Sequence, residues 1–556
     1  MAHTNDSSLG PIAVPAALLA MALLAMTAHL DGGRLKAASA QFLPTDHHGW
    51  LGATLLSSPF PGAAPAAAAA AALLILSAVL RLQGRSLLSS GTLGRARRAA
   101  GRDLRALRRR PRWRPGPAPA PQVRIGAHHR RLLWLPGDEH LLVLGPTGSG
   151  KSSALAIPAI LEWPGPVVVT DPKGELVRTT LPHRLRIGQA AVFAPLMEPT
   201  SKWNPVASIQ SSEDALRVAT LLMGRTPDRE PFWHDLARQL LHGMLVEAAS
   251  ARLPLAGVLE QLQTLPAEEL AEAAGHPVGR RLIQGALSGG DRTAMGVVAT
   301  LVAQLGAYGT EQVASATGSS DFDPAAIAGG ELRTLYCVVA PHDAPVLRGV
   351  VSALISCCWR SLFAAPPAVP ALFVLDEFTQ LTSLPELPAL VQLGRSQGVR
   401  MVLMAQDLGS ISATYGGEAA SAIWSNCRTK LLLPGISEVE LLERVSKLAG
   451  TATLHRRTEA WSREPVSAQP LLQPDDVRRL KSWQALVIHG ADQPAVIRQR
   501  RWFSDPELVR KVAAAGPPAA APVPSRGRPL RDWTDPQVTP AGAAYPLRWN
   551  PADGEA

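Results

Sequence analysis

The 556-residue sequence predicts an α/β protein: a parallel sheet covered on both faces, a helical insertion within that domain, and two apolar spans near the N-terminus. Three observations predict it. Short apolar runs alternate with helical spacing through most of the chain, as buried parallel strands require. Residues 145–152 read Gly-Pro-Thr-Gly-Ser-Gly-Lys-Ser and fit the phosphate-loop pattern G-x-x-x-x-G-K-[ST] at every fixed position. Strand runs disappear between about 211 and 321, where helical spacing takes over.

The loop sits in the context it needs. Leu141-Leu142-Val143-Leu144 precedes it as a buried strand, and an Ala-, Leu- and Ile-rich helix follows until Trp163-Pro164. Gly148 and Gly150 let the backbone turn its N–H groups inward around phosphate oxygens. Lys151 reaches for the β- and γ-phosphates, and the Ser152 hydroxyl is the expected Mg²⁺ ligand. Contacts to ATP are expected from Gly145, Thr147, Gly148, Ser149, Gly150, Lys151, Ser152 and Ser153.

Residues 11–30 and 63–80 carry no formal charge, and each is about long enough to span a bilayer. Residues 81–114 hold twelve arginines against one acid, Asp103. That stretch carries +11 and the whole chain +10, so the remainder is near neutral and the basic balance is no mark of a nucleic-acid surface on the folded body. Arginines directly after the second span fit a cytosolic flank. The expected layout puts the N-terminus inside, a short outer loop near 31–62, and everything after Arg81 in the cytosol, at the plasma membrane. The four cysteines form no C-x-x-C pair, which favours buried reduced thiols over disulfides or a zinc site.

In order, the expected parts are a membrane anchor over 1–84 and a basic juxtamembrane segment and linker over 85–121. The nucleotide domain then runs in two parts, 122–210 and 326–510, around an all-helical domain at 211–325. A Pro/Ala-rich tail, 511–556, is expected to be disordered. Strands are expected at 167–170, 191–194, 334–340, 371–375, 400–406 and 429–433, with 484–488 at a sheet edge. Helices are expected at 232–249, 258–274 and 346–363. Phe232-Trp233 opens one helix and reads as core packing.

The strand 371–375 runs into Asp376-Glu377. An acid there lies beside the phosphate loop, at the sheet edge where doubly wound folds bind ligands. Asp376 is expected to hold Mg²⁺ through water, and Glu377 to orient and deprotonate the attacking water. Gln406 ends the next strand and is expected near the γ-phosphate. Arg395 and Arg400 are alternative candidates for an arginine finger reaching a neighbouring subunit.

These residues resemble the type IV secretion coupling proteins, the TraG/TraD-like membrane ATPases of conjugation. The resemblance rests on the phosphate loop, Asp171-Pro172-Lys173-Gly174-Glu175, Asn204-Pro205, Pro231-Phe232-Trp233, Leu375-Asp376-Glu377-Phe378, residues 394–400, Gln406 and Tyr415-Gly416. The Asp-Pro-Lys-Gly-Glu run is the most specific. The resemblance implies a RecA-like, membrane-anchored hexamer that hydrolyses ATP to deliver relaxase-bound single-stranded DNA, or effector proteins, to a type IV secretion channel. It also implies the finger at Arg395 and the sensing glutamine at Gln406, which stand nineteen and thirty residues after Asp376. A double-stranded DNA translocase of the chromosome-partition kind is the alternative. A nucleotide-binding scaffold without turnover is disfavoured by intact Lys151, Asp376 and Glu377.

Overall fold

The computed structural model describes residues 96–108, 121–198, 200–225, 231–394, 396–454, 467–514, 516 and 523–524. The chain divides into two units. The first, Met1–Arg95 with Thr451–Gln469, is described only at 451–454 and 467–469, which belong to two short strands that pair with each other, Thr451–Leu454 and Ser467–Pro470. The expected spans at 11–30 and 63–80 lie outside the described residues.

The second unit, Ala96–Gly450 with Pro470–Ala556, carries an eleven-stranded sheet among the described residues. Its strands are β1 (Arg124–His128), β2 (Arg131–Trp134), β3 (Leu141–Leu144), β4 (Val167–Asp171), β5 (Gln189–Phe193) and β6 (Leu332–Val338). They continue with β7 (Ala371–Leu375), β8 (Val399–Ala405), β9 (Thr429–Leu432), β10 (Gln484–His489) and β11 (Ala495–Arg498). The spatial order is β2-β1-β11-β10-β9-β3-β8-β7-β4-β6-β5. From β9 to β5 every pair is parallel. From β9 to β2 every pair is antiparallel.

Period-two alternation divides the strand residues between two cores. Leu142, Leu144, Phe373, Leu375, Met401 and Leu403 pack on one side. Leu141, Val143, Leu372, Val374, Val402 and Met404 pack on the other. Both faces are dry, which is why these strands read as continuous apolar runs. All four residues of β3 are fully buried, so truncating one of its leucines to Ala costs about 2–5 kcal/mol.

Helices α1 (Ser152–Glu162) and α2 (Glu175–Leu185) cover the second face. The first face takes α3 (Ser212–Met223), α4 (Pro231–Ala251) and α5 (Ala344–Ala364). Among the described residues, α5 is the helix long and apolar enough to cross a membrane, but Leu347, Val350, Val351 and Leu354 place it in the core.

Several expectations need correction. The run 484–488 is no edge strand: β10 has β9 on one side and β11 on the other, because the hairpin partner and the N-terminal hairpin β1–β2 extend the sheet beyond it. The helix expected at 258–274 is two, Leu255–Thr264 and Ala267–Glu272, parted where Pro266 holds Leu265 extended. Phe232 does not pack in the core; it is 57% exposed at the start of α4, while Trp233 lies against Gly296. The folded body begins before 122: in the described part of the arginine-rich stretch, Leu104 and Leu107 are buried and the Leu107 carbonyl accepts from Trp134 N–H. The disordered tail does not begin at 511, since the helix Pro506–Ala514 crosses that boundary and buries Leu508; Val523–Pro524 pairs with Met197–Glu198. The four cysteines are free thiols, three buried and Cys357 half-buried.

Candidate nucleotide site

Parallel register carries the chemistry-bearing residues to one edge. Leu144 pairs with Ala405 and Leu375 with Leu403, so β3, β8 and β7 end side by side. Gly145, Gln406 and Asp376 follow directly. β8 lies between the other two strands, so Gln406 leaves the sheet between the phosphate loop and the carboxylate pair. Gly145 N–H donates to the Ala405 carbonyl at 3.2 Å, tying the loop to that strand.

The loop's conformation explains its composition. Gly148 and Gly150 adopt φ of +83° and +94°, where any side chain is strained. Gly145 allows a close approach: a Cβ there would stand 2.6 Å from Leu433 Cβ. Thr147 is exposed. The hydroxyls of Ser149 and Ser153 donate to the Pro146 and Gly150 carbonyls. The first turn of α1, Ser152–Ala156, is a wide π-helical turn, a distortion often found at functional sites.

Lys151 is buried, and its Nζ donates to the Gly145 carbonyl at 2.6 Å and to Glu377 Oε1 at 3.0 Å. Ser152 Oγ donates to Asp376 Oδ2 at 3.3 Å. The Asp376 carbonyl accepts from Thr170 Oγ1 at 2.8 Å, fixing the backbone before Glu377. Glu377 takes a left-handed conformation, φ +48° and ψ +44°, a strained setting for a side chain and one that clusters at active sites.

Asp376 Oδ1 and Glu377 Oε2 are buried without a hydrogen-bond partner among the described residues. Unpaired oxygens in a dry site are costly unless a ligand takes them, and an acidic oxygen beside a serine hydroxyl is the donor set of a hard cation. The residues therefore fit Mg²⁺. Burial raises the Asp376 carboxyl to about 7, with Glu377 beside it adding to the rise and Lys151 opposing it. Asp171, at the end of β4, is raised to about 6 by burial, against the hydrogen bonds it accepts from Val177 and Lys173 N–H. Its carboxylate thereby pins the turn through Gly174, itself left-handed at φ +68°, into α2. Sequence reasoning used the Asp171-to-Glu175 run only as a family mark and overlooked this role; an acid ending a buried strand was the available signal.

Arg400 lies away from its own subunit's site, with its guanidinium engaged inside the fold. It is buried at the other end of β8, where its guanidinium donates to the Gly137 and Val399 carbonyls. A strand of that length separates its ends by about 20 Å. Arg395 lies outside the described residues; its neighbour Gly394 stands just before β8 and accepts from Val399 N–H.

A family model described as type IV secretory system conjugative DNA transfer matches residues 119–522. The chain is 28% identical to the protein VirD4 of Rhizobium rhizogenes over 404 residues, covering 67% of this chain and 59% of that one. It is 26% identical to a conjugal transfer protein TraG of Escherichia coli over 456 residues, covering 68% and 70%. It thus spans about three fifths of the first of these curated relatives. Among solved structures, an unbound form of the conjugative coupling protein TrwB superposes with TM-score 0.60 at 20% identity, covering 73% of this chain and 93% of that one. TrwB in complex with ADP and Mg²⁺ superposes with TM-score 0.59. These structures share the RecA-like fold.

Proposed function

The chain belongs to the family of type IV secretory system conjugative DNA transfer proteins, and from that premise we propose that it is the ATP-hydrolysing coupling protein of such a system. One observation carries the proposal: the phosphate loop, the Asp376-Glu377 pair and Gln406 converge at the C-terminal ends of adjacent parallel strands, where Asp376 and Glu377 each contact the loop through one oxygen and leave the other unpartnered. Solved TrwB structures hold ADP with Mg²⁺ and non-hydrolysable analogues of ATP and GTP, which supports a nucleotide here.

In this reading Lys151 and the loop N–H groups bind the phosphates, and Ser152 and Asp376 hold Mg²⁺. The cation, when bound, neutralises phosphate charge. Glu377 takes a proton from the water whose oxygen attacks the γ-phosphorus, and the bond to the ADP oxygen breaks. Gln406 senses the terminal phosphate. Arg395 acts on the site of a neighbouring subunit in a homo-hexamer. The two N-terminal apolar stretches anchor the chain in the plasma membrane, and the cargo is single-stranded DNA with its relaxase, or effector proteins, passed to the secretion channel. The nucleotide domain in two parts, 122–210 and 326–510, with its helical domain at 211–325, forms the motor.

The test is DNA transfer from donor cells carrying Lys151→Ala in place of the natural chain. Transfer is expected to fall to background while the protein stays in the membrane fraction at normal amount. Normal transfer would refute the proposal.

A further inference from the structure

Gln499 is a buried amide that the catalytic reading does not use. Only 5% of the residue is exposed. Neither Oε1 nor Nε2 has a hydrogen-bond partner among the described residues. Leaving both ends of a buried amide unpaired forfeits its hydration with nothing in return, a cost that a ligand can remove.

Topology brings it to the phosphate loop. β10 is antiparallel to β9, and β11 is antiparallel to β10, so β11 runs in the same direction as β3. Arg498 ends β11 opposite Gln484, and Gln499 N–H donates to the Trp483 carbonyl at 2.7 Å. Gln499 therefore leaves the sheet at the edge where the loop stands. There its Oε1 lies close against the loop: a Cβ on Gly150 would stand 3.1 Å from it, a tight contact.

The side of approach indicates which part of a ligand it meets. Asp376 and Glu377 follow β7, two strands from β3 in one direction. Gln499 follows β11, three strands from β3 in the other. A nucleotide whose terminal phosphate faces the carboxylates extends its nucleoside the opposite way. We infer that Gln499 is a binding residue for the nucleoside half of the nucleotide. Its amide supplies a donor and an acceptor, which match the ribose hydroxyls or a purine edge. The inference rests on the nucleotide-binding reading above.

The test compares ATP, ADP and inorganic tripolyphosphate by titration calorimetry on the purified full-length chain, its Gln499→Ala variant and its Gln499→Leu variant. Both variants are expected to bind ATP and ADP roughly three- to tenfold more weakly, the worth of one neutral hydrogen bond, and tripolyphosphate as the natural chain does. Parallel loss for all three ligands would show a distorted loop and overturn the inference, as would unchanged ATP affinity in both variants. Failure of the natural chain to bind ATP or tripolyphosphate at all would overturn the nucleotide reading itself, and this inference with it.

Discussion

The Lys151 ammonium stands 3.0 Å from Glu377 Oε1, joining the ends of β3 and β7 across the strand between them. The cation suited to phosphate and the carboxylate suited to a water proton thus hold each other in place. Removing either partner has a different consequence. Lys151→Ala takes the positioning cation from the phosphates, so ATP hydrolysis is expected to vanish and nucleotide affinity to fall. Glu377→Gln keeps the size and the donor-accepting oxygen but cannot take a proton, so binding should persist while turnover falls roughly 10²-fold or more. Steady-state turnover and nucleotide titration on both variants check this; a Glu377→Gln protein that turns over normally would remove the base from its assigned role.

Asp376 predicts a pH dependence with a definite sign. Its carboxyl is raised from 3.8 to about 7 in the fold. Between about pH 4 and 7 the folded protein therefore keeps a proton that the unfolded chain has released. The stability this supplies is present at low pH and is lost as pH rises through 7. Asp171, raised to about 6, acts in the same direction. In chelator-treated protein, Asp376→Asn is expected to raise the melting temperature relative to the natural chain, by more at pH 8 than at pH 5, while abolishing Mg²⁺-dependent turnover. A stability gain that shrinks with rising pH would contradict the sign.

The two arginines carry different expected outcomes. Arg400 is buried against the Gly137 and Val399 carbonyls, so Arg400→Ala should act on the fold, costing about 1–3 kcal/mol in chemical denaturation. Arg395→Ala should leave stability and nucleotide affinity intact and cut turnover roughly 10³-fold or more. Mixing Arg395→Ala with Glu377→Gln protein should restore part of the activity, since some interfaces then join an intact glutamate to an intact arginine. No recovery in mixtures shown to co-assemble would exclude action between subunits.

The apolar stretches at 11–30 and 63–80 with the arginines beyond them predict that fusions at Asp46 report outside the cell and fusions at Arg114 inside. A cytosolic signal at Asp46, or an external one at Arg114, would overturn the topology.

The parallel half of the sheet was legible because each strand buries both faces and so appears as an unbroken apolar run, as in Leu141 to Leu144 and Ala371 to Leu375. Of the antiparallel half only β10 was, and it was expected at the edge. Arg124 opens β1, Arg131 opens β2 and Arg498 ends β11, and Gly126 lets β1 and β2 shift register, so these short strands carry little continuous pattern. The phosphate loop, Asp376, Glu377 and Gln406 were legible from spacing and strand ends. Gln499 was not, because its place depends on β10 reversing the chain twice over, a long-range pairing that no local signal marks. The burial of Arg400 was equally hidden: its place at the start of the strand was expected, but not the Gly137 carbonyl, far away in sequence, that its guanidinium meets.

The most direct test of the central claim is phosphate release by the purified full-length chain with Mg²⁺ and ATP, with and without single-stranded DNA. Mg²⁺-dependent release is expected to rise with single-stranded DNA and to disappear in Lys151→Ala. No release under either condition, or release that Lys151→Ala leaves intact, would contradict it.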